Sequence, residues 1–195
     1  MKDNNWINNL YKEYMKIVKL HLACGWRNFG PSWIHIDGGD YEHLDSNDIV
    51  NLPYEDNSVD LIYASHVLEY FDRDEAKELL TKWYLKLKPN GIIRLAVPDF
   101  EAMAKLYVEQ QYPLTSFLGP LYGKMPMGKY TIYHKTTYDY LSLEKLLSDT
   151  TFTQIKKYNW QDTEHAQFDD HSQAYVPHMD KENGTLISLN IQAVK

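Results

Sequence analysis

The 195 residues carry 20 Lys and Arg against 27 Asp and Glu, a formal net charge of −7, with 16 Tyr and one Cys. A chain of this length buries enough surface for one domain. Its basic residues are too scattered to make a footprint for nucleic-acid phosphates, and a lone cysteine excludes an internal disulfide framework or a cysteine-rich zinc site. The opening MKDNNWINNLYKEYMK lacks the apolar core of a signal peptide and no apolar run reaches membrane-spanning length, so a soluble protein in a reducing cytoplasm is expected.

Apolar residues at Trp6, Ile7, Leu10, Tyr14 and Ile17 or Val18 recur at helical spacing and predict an N-terminal helix over 5–18. IVKLHLAC reads as a first strand, WIHI as a second, Asp48–Val50 as a very short third and SVDLIYA as a fourth, entered through the turn residues Glu55, Asp56 and Asn57. Asp72 is placed to cap a helix from Arg73 to about Leu87, whose face is Leu79, Leu80, Trp83 and Leu87, and Pro89, Asn90 and Gly91 end it. GIIRLAVP is a fifth strand and a helix near Phe100–Glu109 follows. From 111 to 140 the periodicity dissolves, with three Pro and three Gly; such stretches in compact domains tend to be lids or binding loops. Ser142 is expected to cap LEKLLSD, and TQIKKYNW and TLISLNIQAV read as closing strands.

Four segments in this order carry apolar runs that stop at residues a bound nucleoside cofactor could use: LHLACG (20–25), WIHID (33–37), DIVNLPYEDNSVDLIYASHVLEY (48–70) and LKPNGIIRLAVPD (87–99). In an open parallel sheet ligands sit outside the carboxyl ends of the strands, so these are the positions where chemistry is expected. Only twelve residues separate Gly25 from Asp37, against the roughly twenty of a full crossover helix, so the first crossover is short. SHVLEY, KPNG and DIVNLPYEDNSVD then complete an ordered set in which the chain resembles a class I S-adenosylmethionine-dependent methyltransferase, of a small subgroup marked by S-H-V-L-E-H and often associated with glycans. Ala23 stands where that family usually has Gly, Tyr70 replaces a His and Asn90 replaces a Gly.

The resemblance implies an α/β, Rossmann-like fold with a mostly parallel seven-stranded sheet, a shortened first crossover and an antiparallel C-terminal hairpin. One domain would span 1–195, with an N-terminal helix (1–18), a cofactor-binding half (19–100) and an acceptor-binding half (101–195) holding the insert 111–140. It further implies S-adenosylmethionine as cofactor and S-adenosylhomocysteine as product. Ala23, Cys24 and Gly25 would carry the cofactor loop, Asp37 the ribose, and Asp48 and Ile49 the adenine, with Ser65 a further cofactor contact. Asp60 is read as structural. The leading acceptor is a sugar or glycan hydroxyl; another small-molecule O- or N-acceptor and a non-catalytic cofactor-binding regulator are the alternatives.

A hydroxyl acceptor needs a base, and His134, Asp99 and His66 are the candidates, His134 first because it closes the insert among Tyr130, Tyr133, Lys135, Thr136 and Thr137. Asp99 equally suits a helix cap. Tyr133, Asp170 and His171 are candidate acceptor contacts. His165, His171 and His178 are spaced by six and seven residues, which does not put ligands on one helical face, and no metal is expected.

Overall fold

In a computed structural model the described residues are 17–195, so the predicted helix at 5–18 lies almost wholly outside them. Ten strands and four helices are present among these residues: β1 (Lys19–Leu22), β2 (Ile34–Ile36), β3 (Val59–Ser65), α1 (Arg73–Lys86), β4 (Leu87–Pro98), α2 (Phe100–Glu109), α3 (Leu118–Tyr122), β5 (Met125–Met127), β6 (Tyr130–Ile132), α4 (Tyr140–Asp149), β7 (Thr153–Lys157), β8 (Tyr175–Val176), β9 (Thr185–Leu186) and β10 (Ser188–Val194). The main sheet has the order β2-β1-β3-β4-β10-β7. Its first four strands are mutually parallel, and β10 runs antiparallel to both β4 and β7.

Strand alternation sends Leu20, Leu22, Ile36, Ile62, Ala64, Ile93 and Leu95 to one face. They pack there against Ala76, Leu79, Leu80 and Trp83 of α1 and Leu143 and Leu147 of α4. His21 and Tyr63 alternate to the other face, against Phe29 and Trp33. Asp72 caps α1 by accepting from the Asp74 and Glu75 amides, while Glu75 reaches back to the Asp72 amide, a complete capping box. The helix stops at Lys86 and the chain turns extended at Leu87, because Lys88 precedes Pro89 and is pushed out of the helical region.

Four expectations are corrected. Among the described residues the main sheet has six strands, not seven, and Asp48–Val50 is a turn. The third strand is reduced to a single parallel bridge, Ile36 to Ser46, with Asp45 accepting the His35 amide through Oδ2 at 2.8 Å and donating its own amide to the His35 carbonyl. Asp48 closes this segment by bonding its own backbone neighbours, Val50 and Asn51, which competes with ladder formation. Asp139, not Ser142, caps α4; Ser142 is the third helical residue, and its Oγ accepts from the Asp139 amide. The insert is not structureless: it holds α3 and the β5–β6 hairpin, turned at Gly128 with φ +60. The short crossover between β1 and β2 contains no helix, as its length requires.

Candidate active site

The loop after β1 begins with Ala23 at φ +50 and Gly25 at φ +57, both in the left-handed region. Asp37, next after β2, accepts from the Gly25 amide through Oδ2 at 2.8 Å and from the Gly39 amide through Oδ1 at 2.6 Å. One carboxylate therefore ties the first loop to the second. A side chain at Gly25 would meet nothing nearer than the Arg27 guanidinium at 4.0 Å, so the loop faces open space. Cys24 offers only its backbone: the thiol is buried against His43 Nε2, 3.7 Å away, and burial pushes it up to about 12.

Asp48 is committed to its own turn. Its Oδ1 accepts from the Val50 and Asn51 amides, each at 2.8 Å, and its Oδ2 from Asn51 Nδ2 at 3.0 Å. These bonds, the Asn51 amide foremost, hold its carboxyl below the usual range. The Ile49 carbonyl accepts from Trp83 Nε1 at 2.7 Å, which pins this segment to α1. Asp60 accepts from the Val18 amide and from Lys88 Nζ, a structural role as expected.

Ser65 ends β3 with its Oγ buried and without a partner, and His66 follows at φ +53. The next short helix, Leu68–Tyr70, carries Glu69, 1% exposed, with neither carboxyl oxygen hydrogen-bonded. Its Oε1 lies 3.5 Å from His66 Nδ1 and 3.8 Å from His134 Nε2. Burial pushes the Glu69 carboxyl up to about 8. The same burial, with the neighbouring imidazoles of His171 and His134, holds His66 well below the usual imidazole range, and His134 is lowered by burial as well. The Tyr138 hydroxyl is also buried without a partner, and Glu69 adds to burial in raising it.

The insert brings His134 here. The Lys135 and Thr136 amides donate to the Glu69 carbonyl at 2.8 and 3.2 Å, and His134 Nδ1 pairs with the Pro120 carbonyl at 2.9 Å. Met127 of the β5–β6 hairpin reaches Gly38, next to Asp37: a Cβ on Gly38 would lie 3.3 Å from its Cε. The insert thus crosses the carboxyl ends from β3 to β2.

The other predicted positions divide. Asp99 caps α2, accepting from the Ala102 amide at 3.2 Å, and bridges to Tyr138. Tyr133 is exposed on the insert and His171 is exposed beside His66, with ring centroids 5.2 Å apart. Asp170 does not face an acceptor: it is buried, bonded to the Tyr63 hydroxyl and to the Ser172 amide, and its place among the acceptor contacts is corrected to an anchor of the late loop. His165 is buried against Phe29 on the far face and His178 is exposed. Among the described residues no group of three or more His, Cys, Asp or Glu is arranged to hold a metal ion, and no helix is long and apolar enough to cross a membrane. Glu69, Tyr138 and Ser188 were not singled out from sequence; the signal available was the i, i+3 spacing of His66 and Glu69 just past a strand.

Residues 34–95 match a protein-family model described as a methyltransferase domain. No curated protein matches the sequence. Among solved structures, an S-adenosylmethionine-dependent methyltransferase from Archaeoglobus fulgidus aligns over 99% of this chain and 95% of its own, at 15% identity and a TM-score of 0.55. One from Mesorhizobium loti aligns over 92% and 91%, at 16% identity and a TM-score of 0.55. A chain from the complex of the Haloferax volcanii Trm112 methyltransferase activator with a methyltransferase aligns over 100% and 91%, at 14% identity and a TM-score of 0.52. With a methyltransferase domain match from β2 into β4 and structural likeness over nearly its whole length, the chain has the fold of these S-adenosylmethionine-dependent methyltransferases.

Proposed function

We propose that the protein methylates a hydroxyl of a sugar or glycan, with S-adenosylmethionine as donor and S-adenosylhomocysteine as product. The observation that carries the reading is the row of polar groups and left-handed turns at the carboxyl ends of four adjacent parallel strands: Ala23 and Gly25, Asp37, Ser65 with His66, and Asp99. The residues fit the cofactor. Ser65 Oγ is an orphaned buried hydroxyl, Gly25 fronts open space, and each oxygen of Asp37 keeps a lone pair beyond the one amide it accepts. Bound there, S-adenosylmethionine supplies an activated sulfonium methyl.

In this reading residues 19–100 hold the cofactor within a single domain spanning 1–195. Asp37 takes the ribose hydroxyls, the turn at Asp48 with Ile49 borders the adenine, and Ala23, Cys24 and Gly25 contribute backbone. Residues 101–195 form the acceptor side. Tyr122, Tyr130 and Tyr133, exposed on the insert, offer flat faces and hydroxyls to a polar ring. His134, His66 and Asp99 are the groups at hand to take the hydroxyl proton, and His134 leads because the insert carries it. The lone cysteine, free and buried, suits a reducing cytoplasm.

Calorimetry with S-adenosylhomocysteine and methyl transfer to a panel of sugars test this. Asp37→Ala removes charge-assisted hydrogen bonds worth about 1.5–3 kcal/mol each, so affinity falls by about tenfold or more. Absence of binding by the wild type overturns the reading. Binding without turnover on any acceptor moves the protein to the regulatory alternative.

A further inference from the structure

Two imidazoles converge on one carboxyl, and their hydrogen-bond partners fix which nitrogen of each carries the proton. His134 Nδ1 faces the Pro120 carbonyl at 2.9 Å, which can only accept, so Nδ1 bears the hydrogen and Nε2 presents a lone pair. On the other side, Asn190 Nδ2 donates to the Ser172 carbonyl, which turns Asn190 Oδ1 toward Ser188. Ser188 Oγ gives its one hydrogen to that oxygen at 3.0 Å and must accept from His66 Nε2, 3.2 Å away. His66 therefore also turns a lone pair, on Nδ1, toward Glu69. An ionised carboxylate facing two lone pairs would be repelled by both. A carboxylic acid has one hydrogen to offer them.

We propose that Glu69, His66 and His134 form one proton-holding site in which Glu69 rests as the neutral acid between two imidazole lone pairs and is the positioning residue for proton removal from the acceptor. This rests on the methyltransferase reading above. The gaps of 3.5 and 3.8 Å leave the buried carboxyl without a closed hydrogen bond to either ring. At rest its hydrogen can satisfy one lone pair. Once Glu69 has lost that proton to solvent, a proton arriving on either imidazole from the acceptor hydroxyl makes an ion pair with the carboxylate instead of an isolated buried cation, so the ionised form is the competent base. The groups facing the site are Tyr70 and Tyr138, whose hydroxyls are both raised by burial and by Glu69, His171 across from His66, and the cations Arg27, felt by His66, and Arg73, felt by Tyr138. Lys135 is engaged with Glu75 at 2.7 Å. Two imidazoles and two hydroxyls therefore face Glu69 without a direct cationic partner among the described residues.

Nitrogen-15 and carbon-13 NMR of the whole protein reads this directly. The expected result is His66 protonated on Nε2, His134 on Nδ1, and a Glu69 carboxyl that titrates near pH 8. Assignment of the opposite tautomers, or ionisation of Glu69 in the ordinary carboxylate range, overturns the inference. S-adenosylhomocysteine calorimetry in parallel separates the two readings, since Glu69→Gln keeps shape and is expected to hold affinity within about twofold; loss of binding by the wild type strikes the methyltransferase reading alone. With an accepted sugar, kcat of the wild type rises with pH to a plateau above about 8. Glu69→Gln is low by about tenfold or more and flat across that range, and Glu69→Asp restores part of the rise. A Glu69→Gln profile that follows the wild type overturns the proposal.

Discussion

Ala23 pays a conformational penalty that its position explains. At φ +50 a Cβ crowds the following carbonyl, which costs about 1 kcal/mol for an L-residue and nothing for glycine. The loop must turn there because the Ala23 amide still reaches the Ile36 carbonyl, at 2.6 Å, while Gly25, two residues on, presents its amide to Asp37. Ala23→Gly is therefore expected to leave the protein as stable or to stabilise it by up to about 1 kcal/mol, against the usual loss for an alanine-to-glycine change. Urea unfolding decides, and a loss above 1 kcal/mol would show that the turn is not strained. The departure at Ala23 was legible in the sequence, as was the place of Asp37, because strand tips mark themselves by where apolar residues stop. Glu69 was not legible as a buried acid: its environment is made by His134 and Tyr138, 65 and more residues away in the chain, and no local pattern reports such a meeting.

The element that makes the site is the insert, and its closure depends on one glycine. Gly123, after α3, has φ +57, and a Cβ on it would lie 2.6 Å from both Cδ2 and Nε2 of His134. Gly123→Ala must displace either the ring or the α3 end, loosening the Lys135 and Thr136 amides from the Glu69 carbonyl. Limited proteolysis should then cut between 118 and 135 faster than in the wild type. The core contacts of α1 and α4 are elsewhere, so the thermal midpoint should move by only a few degrees, the scale of about 1 kcal/mol in a chain of this size. Unchanged cleavage would mean that the insert does not depend on this contact. Helices and strands with strong periodicity, α1, α2, β3 and β4, fall within one or two residues of where the sequence puts them, apart from the early start of β4. The lost third strand and the cap at Asp139 escaped because Asp48 and Asp139 bond backbone two or three residues on instead of leaving it to the repetitive structure that periodicity detects.

Across the whole molecule, one face of the sheet is aliphatic and the other carries ionisable rings, and this sets how stability depends on pH. His21, His35 and His165 are buried among Phe29, Trp33 and Tyr63, with His21 Nδ1 and both His165 nitrogens lacking partners. Burial holds His21 well below the usual imidazole range, lowers His35, and brings His165 to about 4. All three stay neutral in the fold but protonate in the unfolded chain near 6.5, so the unfolded state binds more protons as pH falls, and stability present above 6.5 is lost on the way down to about 4. His165 alone accounts for an effect on the order of 3 kcal/mol. Glu69 acts with the opposite sign: its carboxyl stays protonated in the fold to about 8 but ionises near 4.5 when unfolded, so its contribution declines as pH rises across that interval. With His66, His134 and His171, which burial also lowers, these imidazoles outweigh one carboxyl below pH 6.5, and among these groups the carboxyl acts alone above it, which places the maximum of stability at about pH 6.5. Urea unfolding at pH 8, 6.5, 5 and 4 should trace that maximum. His165→Phe keeps the stacking on Phe29, 4.7 Å between centroids, and removes the titration, so it should make the acid limb shallower while leaving the alkaline limb to Glu69. An acid limb as steep in His165→Phe as in the wild type would show that the buried imidazoles are not what acid attacks.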